Sequence, residues 1–144
     1  MWRRTLILMK ATAGLLWLSG CSGDPTTPAQ QCLGDTVVEA GSVIEGMLEP
    51  GDFTDFEGDF VDSYVLQVPS LSTWRFTMRS TELDSVLWLY SAFTTLDADD
   101  NDGGGVNGLD AAIARVLPGG CYTIEATTEA VGAEGAYTLT VERF

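Results

Sequence analysis

The sequence predicts an all-β domain, an antiparallel β-sandwich of about eight strands around one core. Three observations carry this expectation. From residue 33 onward, apolar residues recur with a period of two. Clusters of Pro, Gly, Asp and Ser break that pattern at short intervals. No stretch of helical length bears an apolar stripe; the segment 111–116 (AAIARV) comes nearest and is too short.

The chain begins with a segment of another kind. Met1-Trp2-Arg3-Arg4 is a short basic start, residues 5–9 are apolar, and residues 11–18 form the main apolar run before small residues. That order is the order of a secretory leader, so residues 1–20 are read as a signal peptide rather than a buried helix. The run is too short for a mature membrane span, which takes about 20 apolar residues. Leu18-Ser19-Gly20-Cys21 resembles the bacterial lipoprotein lipobox. The resemblance implies cleavage after Gly20, diacylglycerol on the Cys21 thiol, and a fatty acid such as palmitate on the new amine. Ordinary secretion with Cys21 as a free thiol is the alternative. Two or three acyl chains anchor a protein stably, where one does so only marginally. Ser22 rather than Asp follows Cys21, which by analogy with enterobacterial sorting points to the outer membrane, on its periplasmic or surface face.

Residues 22–31 (SGDPTTPAQQ) are small and polar with two Pro. They cannot bury apolar surface and are read, with Cys21, as a tether covering 21–31. From Cys21 to Cys32 the tether reaches at most about 36 Å. With Cys21 lipidated, Cys32 and Cys121 remain as an even pair in an oxidising compartment. Their bridge would close a loop of about 90 residues, worth on the order of 4 kcal/mol. Two isolated buried thiols are the alternative. No His or Lys follows Cys21 to lower a thiol pKa, which argues against a catalytic cysteine.

The domain, residues 32–144, supplies the strands. Val37-Val38 and Val43-Ile44 are short apolar runs. Tyr64, Leu66 and Val68 alternate with Val65 and Gln67, and Trp74, Phe76 and Met78 alternate with Arg75, Thr77 and Arg79. Leu87 and Leu89 alternate with Val86, Trp88 and Tyr90, and residues 112–117 form a further run. Tyr122, Ile124 and Ala126, then Tyr137, Leu139 and Val141, complete the series. Turn-forming residues separate these runs at 49–52, 69–70, 102–105, 118–120 and 132–135.

Composition narrows the function. There are 7 basic residues, 21 acidic ones and no His, for a net charge of −14. Without His there is no Ser-His-Asp or Cys-His dyad and no imidazole metal ligand. Such acidity argues against a nucleic-acid partner, which needs a basic face. The charge is also uneven. Residues 1–20 hold three bases and no acid; from Cys21 onward four Arg face 21 acids, a balance of −17.

Five segments then occur in a telling order: Asp62-Ser63-Tyr64, 84–89 (DSVLWL), 99–103 (DDNDG), 118–122 (PGGCY) and 135–141 (GAYTLTV). Over about residues 36–144 this resembles the bacterial pre-peptidase C-terminal domain. The resemblance implies a jelly-roll-like β-sandwich that serves as a non-catalytic accessory module. Such domains usually trail secreted peptidases, and some relatives bind calcium or extracellular polymers such as collagen. Here a tether and a lipid stand in the peptidase's place.

Two constellations could carry chemistry. In the acidic stretch 97–105, Asp99, Asp100, Asn101 and Asp102, with Asp84 or Asp110, offer the oxygens that Ca²⁺ takes from flexible loops. The spacing is not that of an EF-hand, and a solvated turn whose side chains cap their own backbone is the alternative. A second acidic stretch, 52–60, interleaves Phe53, Phe56 and Phe60; Phe60 is read as closing one end of the core and the rest as a loop before the Tyr64 strand. No spacing there singles out a carboxylate pair for glycosidic cleavage. On the outward faces, Trp88 and Tyr90 with Arg75 and Arg79 would form a patch able to stack sugars or dock a protein. Cover by a loop, or Arg packed over Trp, is the alternative. The expectation is therefore a lipid-anchored, extracytoplasmic binding module of the bacterial envelope, calcium-stabilised, whose partner is an extracellular polymer or secreted protein. It is not an enzyme, since no nucleophile motif such as G-x-S-x-G occurs. A structural spacer and a carboxylate-dependent hydrolase are the competing readings.

Overall fold

The computed structural model describes residues 32–34, 36–92, 94–99, 103 and 108–144. Ten strands follow in order: β1 (Val37–Val38), β2 (Val43–Leu48), β3 (Phe53–Thr54), β4 (Phe60–Val68), β5 (Ser72–Arg79), β6 (Ser85–Ser91), β7 (Thr94–Asp99), β8 (Ala111–Leu117), β9 (Gly120–Thr128) and β10 (Gly135–Arg143). The first sheet runs β1-β4-β9-β6-β7, with β3 beside the start of β4; the second runs β2-β10-β5-β8. Pairing is antiparallel apart from β1 against β4. From β4 on, the chain swings between sheets: β5, β8 and β10 lie in the second, and β6, β7 and β9 in the first. The all-β sandwich is thus observed.

Two strands exceed the expected set. Residues 97–99, expected in a loop, belong to β7, and Phe53–Thr54 form the short β3. β7 lies at the sheet edge, paired on one side to β6 across a bulge between Leu89 and Tyr90. None of its side chains is fully buried, so it lacks the apolar alternation that marks the central strands.

The core fills from alternate positions. Leu66, Leu87, Leu89 and Ile124 of the first sheet meet Trp74, Phe76, Met78, Leu139 and Val141 of the second. Trp74 and Phe76 stack at 6.5 Å, and Trp74 Nε1 donates to Ser72 Oγ at 2.9 Å, so the indole keeps its hydrogen bond inside.

One polar link crosses this interior. Tyr137 on β10 donates to Asp62 Oδ2 on β4 at 2.6 Å. Its single proton being used there, the Tyr137 oxygen accepts from the Tyr64 hydroxyl of β4. Burial raises the pKa of all three groups, so both phenols stay protonated. Gly46 on β2 stands opposite Tyr137 in the register, and a Cβ there would fall inside the Tyr137 ring. A disulfide joins Cys32 to Cys121, 89 residues apart, with 5.5 Å between Cα atoms.

Replacing Cys32 and Cys121 together by Ser should lower the urea unfolding free energy by about 2–5 kcal/mol, the cost of freeing so long a loop. An unchanged midpoint would show that the bridge does not constrain the unfolded chain. For Asp62, the folded pKa lies above the unfolded value of 3.8, chiefly through burial. Its contribution is therefore fully present below that value and is lost as pH rises through the folded pKa. Asp62→Asn keeps the acceptor for Tyr137 and should remove this part of the pH dependence. Relative to wild type, the variant gains melting temperature between acid and neutral pH; a difference that is constant with pH contradicts the assignment.

Candidate functional site

The outward face of the first sheet is built from β4, β9 and β6. Register sets Tyr90, Thr123 and Val65 in one row across it, and Trp88, Glu125 and Ser63 in the next. Trp88 is 37% exposed, and its ring stacks on Tyr90 at 6.4 Å with planes 16° apart. Burial, and then the neighbouring Glu125 carboxylate, push the Tyr90 phenol up to about 12. It stays a hydrogen-bond donor across the physiological range.

Beside this stack lies a groove of about 720 Å³. Val65 and Glu125 contribute to its lining from the sheet, Tyr90 from β6, and Leu33 from the segment after Cys32. Phe53 and Phe56, from β3 and the loop after it, complete the apolar lining. Phe53 and Leu33 are exposed, and Phe56 is wholly so. Among the described residues no Arg or Lys lines the groove, whereas Asp55 and Glu125 do. Apolar and aromatic walls with two carboxylates suit the stem and charged head of an Arg or Lys from another chain.

The expected patch divides between the two sheets. Arg75 and Arg79 are exposed on β5 of the second sheet, whereas Trp88 and Tyr90 belong to β6 of the first. Their outward faces lie on opposite sides of the sandwich. The reason is topological: the chain changes sheet after Val68 and again after Arg79, so β5 and β6, consecutive in sequence, lie in different sheets. Arg79 Nε instead lies 3.5 Å from Asp110 Oδ2. Val86, although it alternates with core residues, is 7% exposed, so the aromatic stripe narrows to Trp88 and Tyr90.

Of the expected calcium ligands, Asp100, Asn101 and Asp102 lie outside the described residues. Asp99 Oδ2 accepts the Ala112 N–H at 2.6 Å, and Asp97 pairs with Arg115 at 2.9 Å, so both acids reach from β7 to β8. Asp84 precedes β6, its carbonyl accepting the Glu129 N–H at 3.1 Å, and its buried Oδ1 has no partner.

Three other carboxylates do converge. One oxygen from each of Asp55, Glu57 and Asp59 lies within 4.8 Å of the others. The sequence weighs the acids of 52–60 only as a glycosidic carboxylate pair, although the spacing D-x-E-x-D is visible. The three exposed apolar side chains of the groove, Leu33, Phe53 and Phe56, were likewise unassigned, and large apolar residues amid acids were their signal.

No family model and no curated protein matches the chain. Among solved structures, the pre-peptidase C-terminal domain of a Bacillus anthracis collagenase is similar, with a TM-score of 0.58 and 16% identity over 74% of this chain and 93% of that one. The Aeromonas hydrophila PliG, a periplasmic inhibitor of g-type lysozyme, gives 0.55 at 15% identity, covering 76% and 95%. A mutant of the Escherichia coli PliG gives 0.50 at 11% identity, covering 76% and 96%. At these identities the likeness is one of fold, and this chain shares its sandwich with both kinds of domain.

Proposed function

We propose that this chain is a non-catalytic protein-binding module, held outside the cytoplasm on a bacterial outer membrane by the lipid on Cys21. In this reading it grips a basic segment of a secreted protein in the groove between Phe53, Phe56 and Tyr90. The groove itself is the observation that carries the proposal: apolar and aromatic walls beside Asp55 and Glu125, with no cation in the lining among the described residues. Several facts support it. From Cys21 onward the balance of −17 would steer a cationic partner toward the domain. The Cys32–Cys121 bridge suits an oxidising compartment. Solved proteins of the same fold include periplasmic inhibitors of g-type lysozyme, whose role is to bind another protein. The tether, at most about 36 Å long, would keep the groove close to the membrane.

The test is site-specific photo-crosslinking of the full chain in the envelope. A photoreactive residue in place of Phe56 should capture a discrete protein, and adding Tyr90→Ala should reduce the capture. The same residue in place of Arg75, on the opposite face, should capture none. No adduct at Phe56, or equal adducts at both positions, would overturn the proposal. For the anchor, Cys21→Ala should abolish fatty-acid labelling and release the protein from the membrane fraction; a variant still labelled contradicts lipidation at that residue.

A further inference from the structure

We propose that the open edge of β2 is a second docking site, where an extended segment of another protein joins the four-stranded second sheet as a further strand. The segment it fits carries a Lys or Arg opposite Glu45, between apolar residues opposite Val43 and Met47. This surface belongs to the other sheet from the groove and stands independently of it.

The backbone determines which groups are free. Gly41, at φ +90°, and Ser42 stand together opposite Val141 as a bulge. The Gly41 N–H donates to the Val141 carbonyl at 2.8 Å, and the Val141 N–H donates to the Ser42 carbonyl at 2.9 Å. Bonded and non-bonded pairs alternate along an antiparallel ladder. From that bulge onward, Ile44, Gly46 and Leu48 therefore bond to Leu139, Tyr137 and Gly135 of β10. The N–H and C=O groups of Val43, Glu45 and Met47 point the other way. Among the described residues, no strand pairs with that side of β2.

The other edges are covered or tied. β1 and β3 lie along the free side of β4. β7 and β8 are linked across the opening between the sheets, where Asp99 Oδ2 takes the Ala112 N–H and Asp97 pairs with Arg115. Soluble proteins blunt a bare edge with Lys, with Pro or by keeping it very short. β2 has six residues, no Lys, no Pro, and Glu45 as its one charge. Val43 and Met47, on either side of Glu45, are 63% and 52% exposed. Strand addition uses such an edge: main-chain hydrogen bonds supply affinity, and alternate side chains supply specificity.

Charge selects the occupant. Thr138 Oγ1 donates to Glu45 Oε2 at 3.0 Å and so holds the carboxylate on the outer face beside the edge. Residues 36–52 contain four acids and no base. A Lys or Arg opposite Glu45 makes a favourable cross-strand pair, and the acidity around it draws a basic segment in. A second copy of this chain is a poor fit, because antiparallel pairing of two β2 edges in full register sets the two Glu45 side chains face to face.

The probe is the end-capped peptide Thr-Val-Thr-Lys-Thr-Val-Thr, titrated into the isotope-labelled full chain in detergent micelles. Amide spectra and hydrogen exchange read the result. The Val43, Glu45 and Met47 amides should shift and gain protection, whereas those of Ile44 and Gly46, already bonded to β10, should keep the protection they have. Glu in place of the peptide's Lys should weaken binding severalfold. Glu45→Pro removes an N–H that β10 does not use, so it should weaken binding about tenfold or more while the β10 amides stay protected. Glu45→Lys leaves the backbone intact and should invert the preference, favouring the Glu peptide. Unmoved β2 amides at about 1 mM peptide would overturn the site. So would a Lys-over-Glu preference unchanged in Glu45→Lys. Dimerisation in sedimentation that Glu45→Pro abolishes would give the edge to a second copy instead. Shifts confined to Phe56, Trp88 and Tyr90 would place the peptide in the groove and overturn the edge, while shifts at β2 alone support the edge whatever the groove binds.

Discussion

A hydroxyl buried between two sheets must find its partners within the protein, and that requirement governs this sandwich. Tyr137 from β10 donates to Asp62 and accepts from Tyr64, both on β4, so the link ties one sheet to the other through three side chains. A half-satisfied network of this kind costs more than an apolar core would. The link therefore constrains register as well as contact. Sliding β10 by one residue would turn Tyr137 outward and remove Gly46 from beneath its ring. The core above it is forgiving hydrocarbon; this end admits one alignment.

The same residues explain what could be read in advance and what could not. Asp62, Tyr64 and Tyr137 sit in the segments that carry the family resemblance, and the structure gives them a scaffolding role. Tyr122 of a further segment donates to the Pro118 carbonyl at 2.9 Å and so clamps its own turn. Leu87 and Leu89 are fully buried. Alternation thus revealed the central strands, because each buries one whole face. β7 and β3 were illegible, since an edge strand and a two-residue strand bury too little to leave a pattern. Sheet membership was illegible for another reason. Alternation says which residues share a face of a strand, not which sheet receives that strand, and Arg75 was thereby placed beside Trp88. At the 55–59 loop the alternating acids were plain. Their convergence depends on a left-handed turn at Gly58 and on hairpin pairing, neither of which spacing expresses.

The two broad faces consequently carry different side chains. Arg75 and Arg79 stand on β5 of the second sheet, while Glu125 with Asp55 and Glu57 gather at the outer side of the first. Aromatic surface accompanies the acids, in Tyr90, Trp88, Phe53 and Phe56.

The last strand is also an inner one. β10 pairs with β2 on one flank and β5 on the other, so without it the second sheet is two separate pieces. In a chain made from its N-terminus, β2 emerges early and waits for a neighbour made almost last. Until then the second sheet cannot close over the core. The topology thus leaves the β2 and β5 edges unpaired longest, and these are the edges at which a folding intermediate would pair with another chain.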